Sequence, residues 1–510
     1  MKMDSRRWFK VETRRREIME ALARDNHAAA ACDAMRKLAV REPMAPAVQM
    51  DLVTLATMVS EYDLALAAAG RLLRIAPGDF LAMSHAADAF LQCGREDKAL
   101  EAWRTIKLPA HRPAAMTAMA RIAERGGRPE EAAAWVERAL ALDPRDAMSV
   151  LLAGQLASRR GEFERATALL EHCALPVVPA TLRCQALYEL GEVRDRTDDP
   201  AGAVAAWRAA KRCIEEGFAP QVDLGRRVRR KILERNRALV AELTPTLIRH
   251  WRCQPPACEM PPLALLAGHP RSGTTLLEQV LAAHPAVIDI DEKDALACAL
   301  RETLFPEVPA GPNLQDLDAM PAEALEGVRR DYLRRIAMLR DLRGADRFIL
   351  DKNPNLTDFL PFLLRPFPEL RILVARRDPR DILLSCFRLP VLPQTGNTGW
   401  LREDHAAEDY RSMMGVWEKL REGLADDTAW LEVSYENLCT DFENEARKIT
   451  GFLGLDWHPA QADYRQTRAA GQAASSPSYA AVRAPVHSGS IGRWRRYADL
   501  LPELFAPFSQ

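Results

Sequence analysis

Residues 268–275, which read GHPRSGTT, have the composition of an anion-binding loop. They lie between an apolar run at residues 263–267, typical of a short buried strand, and a helix predicted over residues 274–283. The free N–H groups at the start of a helix point outward, and the helix dipole adds positive potential. This junction therefore predicts a phosphate-binding site.

The side chains of the loop fit the same role, because hydroxyls donate hydrogen bonds and a guanidinium forks onto oxygens. The candidate phosphate ligands are Arg271, Ser272, Gly273, Thr274 and Thr275. The spacing G-x-x-x-x-G is that of a nucleoside-triphosphate P-loop, but Thr274 stands where such a loop requires lysine. A kinase or an ATPase would lack the cation that bridges the transferred phosphate, which argues against an ATP-driven enzyme.

The stretch 270–285, PRSGTTLLEQVLAAHP, closely resembles the 5'-phosphosulfate loop of sulfotransferases that use PAPS (3'-phosphoadenosine 5'-phosphosulfate). The nearest pattern is that of the protein-tyrosine sulfotransferases and of their bacterial relatives fused to tetratricopeptide repeats. The resemblance implies PAPS as co-substrate and an enzyme that transfers a sulfuryl group.

An acidic turn at residues 289–294, DIDEKD, follows in the order of the family. There, a glutamate seven residues after the His-Pro proline is the catalytic base, and the seventh residue after Pro285 is Glu292. Such a carboxylate takes the proton of the acceptor hydroxyl as the sulfuryl group arrives. Asp291 is the reserve candidate, and an exposed acidic turn is the alternative interpretation.

Residues 350–354, LDKNP, place Lys352 directly after a predicted strand. In the family this lysine contacts the bridging oxygen of the donor. A fixed cation at that point stabilises the negative charge that builds on the leaving phosphate, as an oxyanion hole does.

A second phosphate signature covers residues 374–385, VARRDPRDILLS. Arg377 and Ser385 stand eight residues apart, as in the family, where such a pair holds the 3'-phosphate that distinguishes PAPS from ATP. Arg376 and Arg380 are interpreted as exposed neighbours. Arg388 is a further candidate, although its offset from Ser385 differs by one residue from the family pattern.

Two weaker matches complete the predicted nucleotide site. Tyr435 follows a predicted strand, as does a tyrosine near the nucleotide in the family, and residues 489–494, GSIGRW, resemble the C-terminal loop that closes over the nucleotide. Arg493 is the phosphate ligand predicted there, although Gly492 replaces a serine of the tyrosine enzymes. Some sulfotransferases use a histidine as the base, but the available histidines have no matching context and are interpreted as structural: His269, His284, His405 and His487.

The implied reaction is a direct in-line transfer that needs no metal, with Arg271 and Lys352 neutralising the leaving phosphate. Two other functions stay open: a scaffold that binds a nucleotide without catalysis, and a P-loop kinase that uses ATP. No motif identifies the acceptor hydroxyl. A peptide tyrosine is attractive, and a carbohydrate, a lipid or a small phenol are alternatives. Residues 390–400 are predicted to form a flexible flap over the acceptor.

The N-terminal half repeats with a period of about 34 residues. Alanines recur at intervals of 34, 34, 33, 34 and 37 residues: Ala31, Ala65, Ala99, Ala132, Ala166 and Ala203. A turn former or small polar residue stands five positions before each: Asn26, Ser60, Gly94, Gly127, Gly161 and Asp198. This resembles the tetratricopeptide repeat family and predicts an all-α solenoid over residues 13–215. Its concave face would bind a peptide or protein, make a homodimer, or only support the neighbouring domain, and the sequence does not choose between these.

Residues 216–260 are a predicted connector, in which the basic stretch 226–242 favours a solvated linking helix over an anion site. From residue 261 to 510, short apolar runs alternate with helical stretches. This alternation predicts a P-loop-like α/β domain with a central parallel sheet. The predicted strands are residues 263–267, 347–350, 371–375 and 430–433.

The composition adds exclusions rather than functions. The 510 residues carry a net charge of -1, which gives no reason to expect nucleic acid or a membrane surface as partner. No run reaches the roughly 18 apolar residues of a membrane span. The basic residues 1–10 are not followed by the apolar run of a signal peptide. Ten scattered cysteines are interpreted as reduced thiols, so the cytoplasm is the predicted location.

Overall fold

The computed structural model describes residues 5–25, 27–105, 113–125, 128–304, 313–342, 347–390, 397–424, 429–465 and 486–508. Its N-terminal part consists of helices whose consecutive members pack as pairs. They are α1 Ser5–Asp25, α2 Ala28–Arg41, α3 Pro46–Met58, α4 Tyr62–Ile75, α5 Phe80–Gln92, α6 Glu96–Arg104, α7 Pro113–Arg125, α8 Pro129–Leu142, α9 Ala147–Arg159, α10 Phe163–Cys173, α11 Ala180–Arg196 and α12 Pro200–Gly217.

The turns within these pairs adopt the left-handed backbone that the repeat pattern predicts. The φ angles are 55° at Ser60, 67° at Gly94, 78° at Gly161 and 64° at Asp198. A left-handed residue at this point ends one helix and lets the chain reverse into the next. Asn26 and Gly127, the other two predicted turn residues, lie outside the described residues.

The repeating alanines lie where the helices come closest. Ala31 is 6% exposed, and the other five of the series are fully buried. Since a methyl group admits a close helix approach, the period of the alanines is the period of the helix pairs. The prediction of an all-α solenoid is confirmed.

Five strands form one parallel sheet in the order β2-β3-β1-β4-β5. They are β1 Leu263–Gly268, β2 Val287–Asp289, β3 Phe348–Lys352, β4 Arg371–Arg376 and β5 Trp430–Ser434. The predicted parallel sheet is confirmed. The sequence prediction missed β2, because three residues are too few to show a strand pattern.

Helices cover both faces of this sheet. They are α13 Ala219–Glu242, α14 Pro245–Arg252, α15 Thr274–Ala282, α16 Ala295–Leu304, α17 Leu314–Asp318, α18 Ala322–Leu339, α19 Leu360–Leu363, α20 Pro379–Phe387, α21 Glu403–Gly423, α22 Tyr435–Thr440, α23 Phe442–Phe452 and α24 Pro502–Phe505. Leu265 of β1 packs in a cluster with Trp417 of α21. The next residue, Leu266, packs on the opposite face with Leu277 of α15. Within the described ranges, no helix combines the length and apolarity needed to cross a membrane.

The basic connector helix α13 is docked on the sheet domain, so the prediction of a solvated linking helix is wrong for its inner face. Arg235 is only 7% exposed and donates to Asp358 at 2.5 Å. Arg229 donates to Asp409 of α21 at 2.6 Å. The positive charges on the inner face of this helix therefore pair with carboxylates of the second domain. The local sequence does not show these partners.

The solenoid and the sheet domain share one hydrophobic core. Trp207 of α12 is fully buried in the cluster that contains Leu265 of the central strand. Its ring meets Phe387 of α20 edge to face, with 6.3 Å between ring centroids. The last helix pair of the solenoid is therefore part of the second domain's packing.

Gly191 of α11 is the contact that lets Trp207 lie there, because a Cβ at position 191 would be 2.2 Å from the indole Nε1. We predict that Gly191→Ala lowers the unfolding free energy by about 1–3 kcal/mol, the usual cost of overpacking a core. Thermal unfolding followed by circular dichroism measures this.

The matched control is Gly70→Ala in α4, where an added Cβ has no atom within 4 Å. That change replaces glycine by the best helix former and raises the midpoint or leaves it unchanged. Equal midpoints for the two variants would contradict the packing role of Gly191.

Candidate functional site

The predicted phosphate loop leaves the central strand at its carboxyl end. Gly268 ends β1 with φ 125°, and a Cβ there would be 2.6 Å from the carbonyl oxygen of Ala375 on β4. The Thr357 hydroxyl accepts a hydrogen bond from the Gly268 N–H at 2.8 Å and donates to its carbonyl at 2.7 Å. The loop therefore starts from a point fixed by β4 and by the short 3-10 helix that follows β3.

Gly273 caps α15 with φ 101°. A Cβ at this position would be 2.5 Å from the ring of Tyr435, which follows β5. Glycine is required both for the backbone conformation and for the close approach of this ring. Thr274 and Thr275 form the first helical turn, with their N–H groups directed out of the helix start.

The other predicted residues follow the carboxyl ends of the other strands. Lys352 ends β3, Glu292 lies three residues after β2, and Arg377 comes directly after β4. The chain runs from the central β1 to one side of the sheet and then to the other. Open parallel sheets bind their ligands at the carboxyl ends of the strands beside this reversal.

The ammonium of Lys352 is fully buried among three carboxylates. The distances from its Nζ are 2.7 Å to Glu292, 3.2 Å to Asp291 and 3.3 Å to Glu278. Burial alone lowers the pKa of Lys352, but the three negative charges outweigh it, so the pKa lies above its ordinary value. The lysine is charged, and it contacts both candidates for the base.

The two predicted phosphate signatures meet at Arg271. Its Nε donates to the Ser385 hydroxyl at 2.9 Å, and its carbonyl accepts from Arg377 at 3.1 Å. Burial, with the charge of Arg377 nearby, lowers the pKa of Arg271 below its ordinary value. Two guanidinium groups held this close favour an anion between or beside them.

A buried hydroxyl and a guanidinium nitrogen fit a bound phosphate. Among the described residues, Ser272 Oγ and Arg377 Nε are buried polar atoms that have no hydrogen-bond partner. A buried polar group without a partner costs free energy, which a ligand oxygen would recover. Arg377 also lies over the Tyr435 ring, with 4.6 Å to its centroid. These residues therefore fit a phosphorylated nucleotide.

The phosphate loop and Lys352 lie in a part of the chain that resembles a known family. Residues 262–459 match the model of the sulfotransferase family. The C-terminal domain is a sulfotransferase-family domain.

Similar proteins match parts of this chain. An uncharacterized protein of Aquifex aeolicus is 25% identical over 341 residues, which are 64% of this chain and 41% of that protein. The protein-tyrosine sulfotransferase 1 of Danio rerio is 24% identical over 286 residues, 52% of this chain and 75% of the zebrafish protein. The protein-tyrosine sulfotransferase 2 of Gallus gallus is 24% identical over 212 residues, 38% of this chain and 52% of the chicken protein.

Two solved structures are similar to part of the chain. The sulfotransferase domain of the Synechococcus PCC 7002 olefin synthase has a TM-score of 0.34 and 20% identity, and covers 48% of this chain and 90% of its own. The tetratricopeptide repeat protein YrrB has a TM-score of 0.25 and 14% identity, and covers 36% of this chain and 93% of its own.

Two arginines of the sulfotransferase domain that were predicted to lie near the nucleotide contact the solenoid instead. Arg388 forks onto Glu192 of the solenoid, with contacts of 3.1 and 2.5 Å. The guanidinium of Arg493 pairs with the buried Asp195 of α11. The structure therefore directs both side chains toward the solenoid, a partner that local spacing could not reveal.

Arg376, Arg380 and His269 also have partners within the fold. Arg376 pairs with Glu418 at 2.8 Å, and Arg380 with Asp378 at 2.8 Å. The ring of His269 is buried against Tyr410, and burial lowers its pKa to about 4. The predicted flap over residues 390–400 includes residues 391–396, which lie outside the described residues.

Sequence reasoning missed Glu278 and Asp381. Glu278 is 1% exposed and is the one charged residue of α15, and an acidic residue on the inner face of a short helix was the available signal. Asp381 accepts hydrogen bonds from the N–H groups of Gly492 and Trp494 at 2.6 and 2.9 Å. It thereby holds the C-terminal loop beside the second phosphate signature.

We predict that Lys352→Met lowers stability by about 3–5 kcal/mol at neutral pH, because it leaves buried carboxylates without their counter-ion. The folded variant then binds a proton at Glu278 or a neighbour that the unfolded chain releases. Its stability therefore falls as the pH rises, and the loss relative to wild type is larger at pH 8 than at pH 5.5.

The double variant Glu278→Gln, Lys352→Met removes one of those charges and recovers part of the loss. Thermal midpoints of the three proteins at both pH values test this. A loss that is the same at both pH values and is not recovered in the double variant would contradict the charge argument.

Proposed function

We propose that this protein is a sulfotransferase that moves the sulfuryl group of PAPS to an acceptor hydroxyl, with Glu292 as the base. One observation carries the proposal: the Lys352–Glu292 ion pair of 2.7 Å lies at the same strand ends as a phosphate loop without the P-loop lysine. An acid–base pair at an anion site suits transfer to a hydroxyl.

The donor is assigned to the two phosphate signatures. The loop of Arg271, Ser272, Gly273, Thr274 and Thr275 would hold the 5'-phosphosulfate, where backbone N–H groups and the unpartnered Ser272 hydroxyl are available. Arg377 and Ser385 would hold the 3'-phosphate, and Tyr435 would pack near the nucleotide. The second phosphate is what separates this donor from ATP.

The proposed reaction removes a proton from the acceptor and leaves negative charge on the departing phosphate. The chain has a group for each of these changes. Glu292 takes the proton of the acceptor hydroxyl while the acceptor oxygen bonds to sulfur. The bond from sulfur to the bridging oxygen breaks, and Lys352 and Arg271 stabilise the charge that stays on the phosphate. The products are a sulfate ester and adenosine 3',5'-bisphosphate.

The partners of Lys352 differ in access to solvent, which supports Glu292 as the base. The Glu292 side chain is 28% exposed, against 13% for Asp291 and 1% for Glu278. A base must reach an incoming hydroxyl, so the most accessible of the three is favoured. The other two carboxylates keep the ammonium charged when Glu292 turns to the acceptor.

A tyrosine of a polypeptide is the proposed acceptor. The named relatives of zebrafish and chicken are protein-tyrosine sulfotransferases. The solenoid also reaches the base: Lys293, next to Glu292, donates to Gln92 of α5 at 3.3 Å. A repeat surface in contact with the catalytic turn suits a substrate that is itself a chain.

Donor binding is tested by calorimetric titration with adenosine 3',5'-bisphosphate, with ATP and AMP in parallel. We expect the bisphosphate to bind most tightly, and Arg377→Ala to weaken it roughly ten- to hundredfold, the value of a charged hydrogen bond or two. Arg376→Ala, whose guanidinium pairs with Glu418 instead, is the matched control. A preference for ATP would overturn the proposal in favour of a kinase.

Transfer is tested with PAPS and tyrosine-containing peptides, with phenylalanine versions as blanks. We expect Glu292→Gln to lower kcat roughly 100- to 10,000-fold while bisphosphate affinity stays within about twofold. Asp291→Asn, which leaves Glu292 in place, should cost less. Retained turnover in Glu292→Gln would remove Glu292 from the mechanism. Bisphosphate binding without transfer to any hydroxyl acceptor would favour the non-catalytic scaffold.

A further inference from the structure

Asp195, near the end of α11 in the solenoid, lies under the C-terminal loop of the sulfotransferase domain. Its side chain is 1% exposed and accepts from the Tyr497 hydroxyl and the Arg493 guanidinium. Arg388 and Arg496 approach it at 3.1 and 3.4 Å. Burial raises the pKa of Asp195, but the Tyr497 hydrogen bond and the arginines outweigh it and keep the group ionised.

The residues bound by Asp195 continue directly into the loop at the donor site. Arg493–Tyr497 is a short 3-10 helix that begins after Gly492, where φ is 69°. Two residues before Gly492, the Ser490 carbonyl accepts from Arg377 Nη2 at 2.6 Å. The loop therefore has one anchor on α20, through Asp381, and a second on the solenoid, through Asp195.

We infer that Asp195 is a positioning residue of the donor site, which acts on the nucleotide 3'-phosphate through the loop and Arg377. This inference rests on the proposed function. The solenoid thus contributes to donor specificity through a residue nearly three hundred positions before the loop. No contact of Asp195 with the ligand is required.

The physical consequence of losing the anchor has a definite direction. Arg493 and Arg496 are each 35% exposed, so they can turn to water when the carboxylate is gone. The 3-10 helix then loses its side-chain anchor on α11 and keeps only the contact of Arg496 with the Asp195 carbonyl, so the Ser490 carbonyl holds Arg377 less firmly. We therefore expect a lower affinity for the 3'-phosphate, which Arg377 would bind, and an unchanged affinity for the 5' end of the nucleotide.

The test is calorimetric titration of the full chain with adenosine 3',5'-bisphosphate and with AMP, which lacks the 3'-phosphate. We expect Asp195→Asn to weaken the bisphosphate roughly tenfold, within the range of measured couplings between sites. Its AMP affinity should change less than about twofold. In steady-state kinetics KM for PAPS rises while kcat is retained.

Asp198→Asn is the matched control, because Asp198 also pairs with Arg496, at 2.8 Å, but is 93% exposed. It should leave both affinities unchanged. Tyr497→Phe removes a single hydrogen bond to Asp195 and should weaken the bisphosphate in the same direction by less, which keeps the test open if Asp195→Asn folds poorly.

The outcomes separate this inference from the proposed function. A wild-type protein that does not prefer the bisphosphate overturns both. A selective wild type whose selectivity survives in Asp195→Asn and Tyr497→Phe overturns the positioning role alone. Equal weakening of bisphosphate and AMP also overturns it, because the solenoid contact would then only support the fold.

Discussion

The ammonium of Lys352 carries its charge at a point that water does not reach, and the candidate site is arranged around that buried charge. Removing an ion from water costs several kcal/mol, so the lysine needs close carboxylates to remain charged. Glu278 comes from the helix behind the phosphate loop, and Asp291 and Glu292 come from the turn after β2. One buried charge thereby ties together the ends of β1, β2 and β3.

Under the proposed function, this arrangement pairs the base Glu292 with the cation Lys352 before the substrates bind. While Lys352 holds Glu292 at 2.7 Å, neither group is fully available to a reactant. An ammonium has three N–H donors, so it can exchange one partner and keep the others. Under the proposed function, a donor oxygen that took the place of Glu292 beside Lys352 would release that carboxylate toward the acceptor.

Much of this architecture could be predicted because its signals are local. A strand, a glycine loop and a helix start within 20 residues predicted the phosphate loop, and the alanine period predicted the solenoid. Partners of charged side chains are not local. Arg493 is a residue type that commonly binds phosphate, yet its guanidinium pairs with Asp195, 298 residues away. Glu278 of helix α15 was missed for the same reason, since its partner Lys352 lies on β3, far away in the sequence.

The solenoid meets the sulfotransferase domain in two separate zones, and each lies beside one half of the proposed reaction. In the first zone Gln92 contacts Lys293, the residue after Glu292, and Ser60 lies against Cys298 at 3.6 Å. In the second, Asp195 contacts the loop beside Arg377. Helices α6–α10 connect the two zones along the chain. A movement of the solenoid as one body away from the sheet domain would therefore break contacts in both zones. Under the proposed function, an acceptor that moved the solenoid in this way would disturb the acceptor side and the donor side together.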